Sequence, residues 1–274
     1  MEEEIKRLKE TILKEYPRLT EDSEFTFECH KNVKCFNDCC ADVNIFLTPY
    51  DIIRLKNALG MVAGDFLKKY TILPFDKNLK YPVVLLKMGD DEKKACPLVK
   101  KDGCSVYNDR PWPCRMYPLG LASPKDGGSE LDKEFYFLLR EGGCEGFNET
   151  KKWTVGEWLK DQGINEYSEM GKEFKYITLN KFFYEGEGLT PKRAEMFFMA
   201  CYDIDKFREF VFNSSFLDKF EIDEETKKKC ETDDTELLKF AFKWLRFSLF
   251  GELTLKIKEE VFKEKKNKLE AKNN

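Results

Sequence analysis

Histidine is almost missing from this sequence. Its 274 residues contain one, His30. That excludes His-rich zinc sites and the H-E-x-x-H metalloprotease helix, and leaves any His-dependent triad a single candidate. A bound metal would have to rely mainly on sulfur or carboxylate. A basic surplus is missing too: 47 Lys and Arg stand against 51 Asp and Glu, for a net charge of −4. Nucleic-acid binders carry the cationic excess that displaces counterions from phosphates, so nucleic acid is not an expected partner. No apolar run reaches bilayer length. The richest, Leu237 to Phe250, is interrupted by Lys239, Lys243 and Arg246, and membrane spanning is not expected. The start, Met1-Glu2-Glu3-Glu4, lacks the basic and apolar regions of a secretory signal. A cytoplasmic protein is the expectation. Glutamine is reduced to Gln162 while Lys and Glu abound, a pattern that heat-adapted proteins favour.

What is present belongs to a globular chain: 42% hydrophobic and 36% charged residues can build a buried core. Ile5, Leu8 and Ile12 share one side of an N-terminal amphipathic helix. Thr48-Pro49-Tyr50-Asp51 predicts a helix start, with Thr as N-cap, Pro at N1 and an acid near the positive end of the dipole. Gly60 predicts its end. A second short helix is expected over Gly64 to Tyr70. Thr154-Val155-Gly156-Glu157 reads as a capping box opening a helix that ends at Gly163, and Thr190-Pro191 opens another. From about Asp234 to Lys268 one or two helices with a Phe/Trp/Leu face are expected. Strand signals are shorter, at Pro82 to Met88 and Glu134 to Leu139. Gly120 to Leu131 reads as a loop or hairpin turn. The fold class is therefore α+β, mostly α, with an irregular cysteine-rich core and a small sheet followed by a helical C-terminal part. The division expected is 1–150 and 151–274, packed as one unit.

Eight of the ten cysteines lie between Cys29 and Cys144. They run Cys29-x5-Cys35-x3-Cys39-Cys40, then Cys96, Cys104, Cys114 and Cys144. Four thiols within a dozen residues of loop can converge on one centre, and Gly103, Pro111 and Pro113 supply turns that bring the later ones back. Structural disulfides are a competing reading, rare in the cytosol of mesophiles. Ordinary buried thiols are another, and the preferred one for Cys201 and Cys230. Metal or iron–sulfur ligation fits the crowding best. Adjacent Cys39 and Cys40 either serve one cluster through a kinked backbone or point to two different centres. Four thiolates around Zn²⁺, or around a [4Fe–4S]²⁺ core, leave a net charge of about −2 that needs compensation when buried. Arg110 and Arg115, on either side of Cys114, are placed to donate toward sulfur or a bound anion. Surface salt bridging is the plainer alternative for these arginines. His30 is either a non-sulfur ligand, a proton carrier or a solvated loop residue.

The strings Cys35-Phe36-Asn37-Asp38-Cys39-Cys40, Leu47-Thr48-Pro49-Tyr50-Asp51-Ile52, Cys96-Pro97-Leu98 and Gly103 to Pro118, with its Arg110-Pro111-Trp112-Pro113-Cys114-Arg115-Met116-Tyr117-Pro118, carry a resemblance. They resemble the YkgJ-type cysteine-cluster family of zinc- or iron-chelating domains, over about residues 27–168. The family's commonest pattern, C-x2-C-x2-C-C, is widened here. The resemblance implies Cys35, Cys39, Cys40, Cys96, Cys104 and Cys114 as ligands, with Cys29 and Cys144 next, and zinc or an iron–sulfur cluster as the group held. A related group that includes the flagellin lysine N-methylase implies S-adenosylmethionine-dependent methyl transfer to a protein lysine, with a cofactor pocket near Arg110 and Arg115. No Gly-rich strand-to-helix motif of the usual S-adenosylmethionine fold is visible. A third reading makes the Phe-rich helices after residue 190 a docking face for a protein partner, although aromatic stripes at helical spacing are more often core.

Overall fold

The computed structural model describes residues 16–74, 79–122, 134–140, 142–186, 188–261 and 263. The expected N-terminal helix of Ile5, Leu8 and Ile12 lies outside these residues, as does most of the Gly120 to Leu131 segment. The chain is 49% helical with small sheets, as the α+β, mostly α expectation holds. It forms two compact units that alternate along the sequence. One ends first at Ile45 and resumes over Met88–Ser168; the other comprises Phe46–Lys87 and the chain from Glu169 onward.

The second unit is built of helices. Pro49–Ala58 begins where Thr48 accepts from the Asp51 N–H (3.2 Å) while Asp51 Oδ2 accepts from the Thr48 N–H (2.7 Å). Both bonds of the capping box are made, and Asp51 is fully buried. Ile52, Ile53 and Leu55 bury the apolar face. Replacing Thr48 with Ala should lower stability by about 1–2 kcal/mol, read by denaturant unfolding, because an orphan N–H loses its acceptor. Ala63–Tyr70 follows. The longest helix, Asp234–Phe250, is capped by the Asp233 carboxylate. It packs against Pro191–Cys201, Pro49–Ala58 and Ile204–Phe212. Leu237, Ala241 and Leu245, four residues apart, are each wholly excluded from solvent, the spacing of one helix face. The helix stops at Phe250, before Gly251, and the chain returns as Lys256–Ile257 to pair with Phe220–Glu221. Val84–Leu86 forms the centre of a three-stranded sheet between Phe46–Leu47 and Thr71–Ile72.

The first unit has a smaller core: Phe25, Phe27, Met116, Leu119, Val155, Trp158, Leu159 and Ile164. Glu24–Thr26 pairs with Lys152–Thr154, joining segments far apart in sequence. Thr154 and Glu157 form the second capping box, opening Val155–Asp161. Phe135–Leu138 is a strand, and Leu119–Ala122 pairs with it. Gly120, expected in a loop, sits inside that strand. The Phe137 ring lies across it, and a Cβ there would come 2.4 Å from the ring, so only glycine lets the strand pass beneath the aromatic.

Candidate metal centre

All eight clustered cysteines fall in the first unit. Their approach begins at Phe27, which is buried with its ring edge-on to Phe147 (5.2 Å), Trp158 (5.6 Å) and Tyr117 (5.8 Å). Anchoring Phe27 carries Cys29 out of the core alongside residues 144–146, where the Glu28 N–H donates to the Gly146 carbonyl (3.0 Å). A Cβ on Gly146 would meet the Phe27 ring at 2.7 Å and the Glu28 carbonyl at 2.9 Å. The glycine after Cys144 is thus required for the two segments to meet.

The widened gap between Cys29 and Cys35 is taken up by consecutive turns. Val33 N–H donates to His30 O (3.0 Å) and Phe36 N–H to Val33 O (2.9 Å), with Val33 itself buried. The Asp38 N–H then donates to Cys35 O, and Asn37 adopts φ 72°, starting the 3₁₀ turn Asp38–Cys40. Asn37 Nδ2 donates to Lys100 O (3.0 Å). The Cys96 N–H donates to Cys40 O at 2.7 Å, beside an antiparallel bridge between Ala41 and Ala95. Val99 pairs with Cys104 in a two-residue hairpin. Cys114 sits on the short helix Trp112–Met116, exposed where Arg115 and Met116 are buried. The Glu145 N–H donates to Cys35 Sγ at 3.2 Å, a bond of the kind that stabilises sulfur ligands.

Thiol pKa values report the same neighbourhoods. Burial pushes Cys29 up to about 11, with Cys39, Cys35 and Cys144 adding to the rise. Cys40 is raised by a hydrogen bond with Cys39, then by burial, and then by repulsion from Cys39, Cys114 and Cys96. Cys96 is raised by burial and by Cys104, against the Leu98 and Val99 N–H groups that favour its thiolate. These shifts mark thiols held close enough for their negative charges to oppose one another. Cys201 and Cys230 stand elsewhere, buried in the second unit. Burial raises both, Cys230 to about 11 and Cys201 well above its ordinary value, as inert core thiols should be.

The two arginines are both buried, which sets aside the surface salt-bridge reading. Arg115 Nε donates to Arg110 O (2.9 Å), its Nη1 to Gln162 O (2.7 Å) and its Nη2 to Asn108 O. Its guanidinium stacks on Tyr167 at 4.4 Å. Arg110 donates to Tyr107 O (2.5 Å) and to the Gln162 side chain, and lies over the Tyr107 ring at 3.8 Å. Sequence reasoning aimed these donors at sulfur or a bound cofactor; the structure gives them to protein oxygens. Burial lowers the pKa of Arg110, Tyr107 opposes this, Arg115 reinforces it, and Cys114 and Cys104 oppose it. Its charge is therefore placed to offset anionic sulfur.

His30 is neither isolated nor fully solvated. Its Nε2 lies 3.5 Å from Glu149 Oε2, and its Nδ1 accepts weakly from the Asn32 N–H (3.3 Å). Glu28 joins them, with the three donor atoms within 4.8 Å of one another. Sequence reasoning missed Glu28 and Glu149. Their only local signal is position, one residue before Cys29 and five after Cys144.

Sulfur donors at this density, with carboxylates and one imidazole at the margin, are of the types that hold zinc or iron. Residues 28–149 match the family model CxxCxxCC, described as "Putative zinc- or iron-chelating domain". No curated protein and no solved structure matches the chain. Among the described residues no helix is long and apolar enough to cross a membrane.

Proposed function

We propose that residues 28–149 hold iron as an iron–sulfur cluster through cysteines drawn from Cys29, Cys35, Cys39, Cys40, Cys96, Cys104, Cys114 and Cys144. The observation that carries this reading is the gathering of eight free thiols in the first unit, more sulfur than one tetrahedral zinc ion takes and the donor type that holds iron–sulfur cores. The donor chemistry also fits: the sulfurs are soft ligands, the Glu145, Leu98 and Val99 N–H groups favour charged sulfur, and Arg110 supplies positive charge. When bound, the cluster would supply electron transfer or structural cross-linking. The residues of this chain hold it in place and tune its surroundings.

The other readings gain no such support. In the aromatic stripe of the later helices, Phe197, Phe207, Phe216, Phe240 and Phe242 are buried, which supports a core role for these residues. The guanidinium donors on which an S-adenosylmethionine pocket was expected already hold protein oxygens. Protein purified without oxygen should be brown, with a broad visible absorption band and iron matched by acid-labile sulfide. Colourless protein carrying stoichiometric zinc and no iron would overturn the iron reading.

A further inference from the structure

We propose that Asn37 is a positioning residue for the metal centre: its side-chain amide latches the turn that carries Cys39 and Cys40 to the hairpin that carries Cys104, and so sets where thiols from two distant segments meet. This inference rests on the metal-binding reading above and extends it to a residue that supplies no sulfur.

Asn37 does two separate things. Its backbone, at φ 72° and ψ −7°, lies in the left-handed region, which glycine and asparagine enter more readily than other residues. Around it the Asp38 N–H donates to Cys35 O (2.9 Å) and the Cys40 N–H to Asn37 O (3.0 Å), so Cys35, Cys39 and Cys40 are drawn into two overlapping turns. Its side chain leaves those turns altogether. Nδ2 donates to Lys100 O at 3.0 Å, across 63 positions of sequence. Lys100 pairs with Gly103 in the hairpin where Val99 pairs with Cys104.

Contacts on either side of this bond join the same two segments. The Phe36 ring lies against Gly103, where φ is +115° and a Cβ would come 3.3 Å from the ring. The Cys96 N–H donates to Cys40 O (2.7 Å), and Ala41 bridges Ala95. Positions 36, 37, 40 and 41 thus meet 103, 100, 96 and 95, one segment running against the other, and the Asn37 amide falls between the ring contact and the backbone bond. On its other side the turn is tied by Cys35 Sγ, which accepts from the Glu145 N–H (3.2 Å). A turn released from Lys100 would therefore shift Cys39 and Cys40 relative to Cys96 and Cys104 while Cys35 stayed with residue 145.

Few side chains can do both jobs. Glycine accepts the backbone but has no donor. Aspartate accepts it too, yet its ionised carboxylate offers acceptors only and would face the Lys100 carbonyl. Asparagine joins left-handed tolerance to an N–H donor on a short side chain.

The test is the rate of metal release from the full-length holoprotein purified without oxygen. Unsubstituted protein, Asn37→Gly and Asn37→Asp are each mixed with excess EDTA, and the iron and zinc left on the chain are followed by elemental analysis. Both variants keep a residue suited to the left-handed turn and lose the donor, and Asn37→Asp stands in should Asn37→Gly fail to fold. Release is expected to be roughly threefold to tenfold faster in Asn37→Gly, the range one hydrogen bond between neutral groups commands, and at least as fast in Asn37→Asp. The denaturant midpoint of the helices, read by far-ultraviolet circular dichroism, should not move. Release at the unsubstituted rate in both variants overturns the positioning role and leaves the metal reading standing. A midpoint that falls in step with faster release also overturns it, because the amide would then serve general stability. Unsubstituted protein that retains neither iron nor zinc overturns both readings.

Discussion

Arg115→Ala is expected to lower stability by about 3 kcal/mol or more and to reduce metal retention with it. The side chain is buried and its three donor nitrogens serve the carbonyls of Arg110, Asn108 and Gln162. Truncation leaves those oxygens without a partner in a site that water reaches poorly, and each such group costs about 1–3 kcal/mol. The Tyr167 face also loses the cation stacked on it. The carbonyls belong to the 108–110 turn and to the end of the helix Val155–Asp161, so the loss would free the segment that carries Cys114 from the first unit's core. Arg115→Lys should recover only a minor part, because one ammonium cannot reproduce a planar fork reaching three acceptors. Denaturant unfolding of both variants, with metal analysis of the same samples, checks the prediction. An Arg115→Lys variant as stable as the unsubstituted chain would contradict it.

The parts of this architecture that were legible in the sequence are those written in local chemistry. Thr48 and Asp51, or Thr154 and Glu157, are three residues apart, and their hydrogen bonds close within one helical turn. The helix boundaries could therefore be read before any tertiary contact was known. Cysteine crowding was legible for a similar reason: eight thiols in under half of the chain need a purpose beyond packing. Distant partners were not legible. Arg115 finds Gln162 O across 47 positions, and no spacing rule links them. The strands Glu24–Thr26 and Lys152–Thr154 are three residues each, too short for alternation to announce them. Phe46–Lys87 joins the later helices and not the cysteines that surround it in sequence, because its Ile52, Ile53 and Leu55 pack with helix Asp234–Phe250. The turn that carries Cys39 and Cys40 starts with Asn37 in a left-handed conformation, a single backbone choice that the pattern Cys35-x3-Cys39-Cys40 does not reveal.

Stripping the metal under reducing conditions is expected to leave the helices of the second unit intact while residues 28–45 and 94–115 become open to proteolysis. The reason lies in how little else orders the thiol-bearing segments. Asp38–Cys40 has no buried residue, and the Val99–Lys100 and Gly103–Cys104 strands are two residues long. Cys29, Cys39 and Cys114 are exposed. Val33, Leu98 and Val106 bury apolar surface there, but at about 1.5–3 kcal/mol for each such side chain they offset the ordering entropy of only a few residues at roughly 1–2 kcal/mol of backbone cost apiece. Ligation supplies the difference, since metal binding free energy in such domains is folding free energy. By contrast, Asp234–Phe250 buries eight apolar side chains, seven of them large, against four other helices and contains no clustered cysteine. Limited proteolysis with mass spectrometry should find early cuts in both thiol-bearing segments after chelation and none within 234–250, while far-ultraviolet circular dichroism retains most of its helical signal. Equal protection of the 28–45 segment with and without metal would show that its turns hold themselves, and that the thiols are not its cross-link.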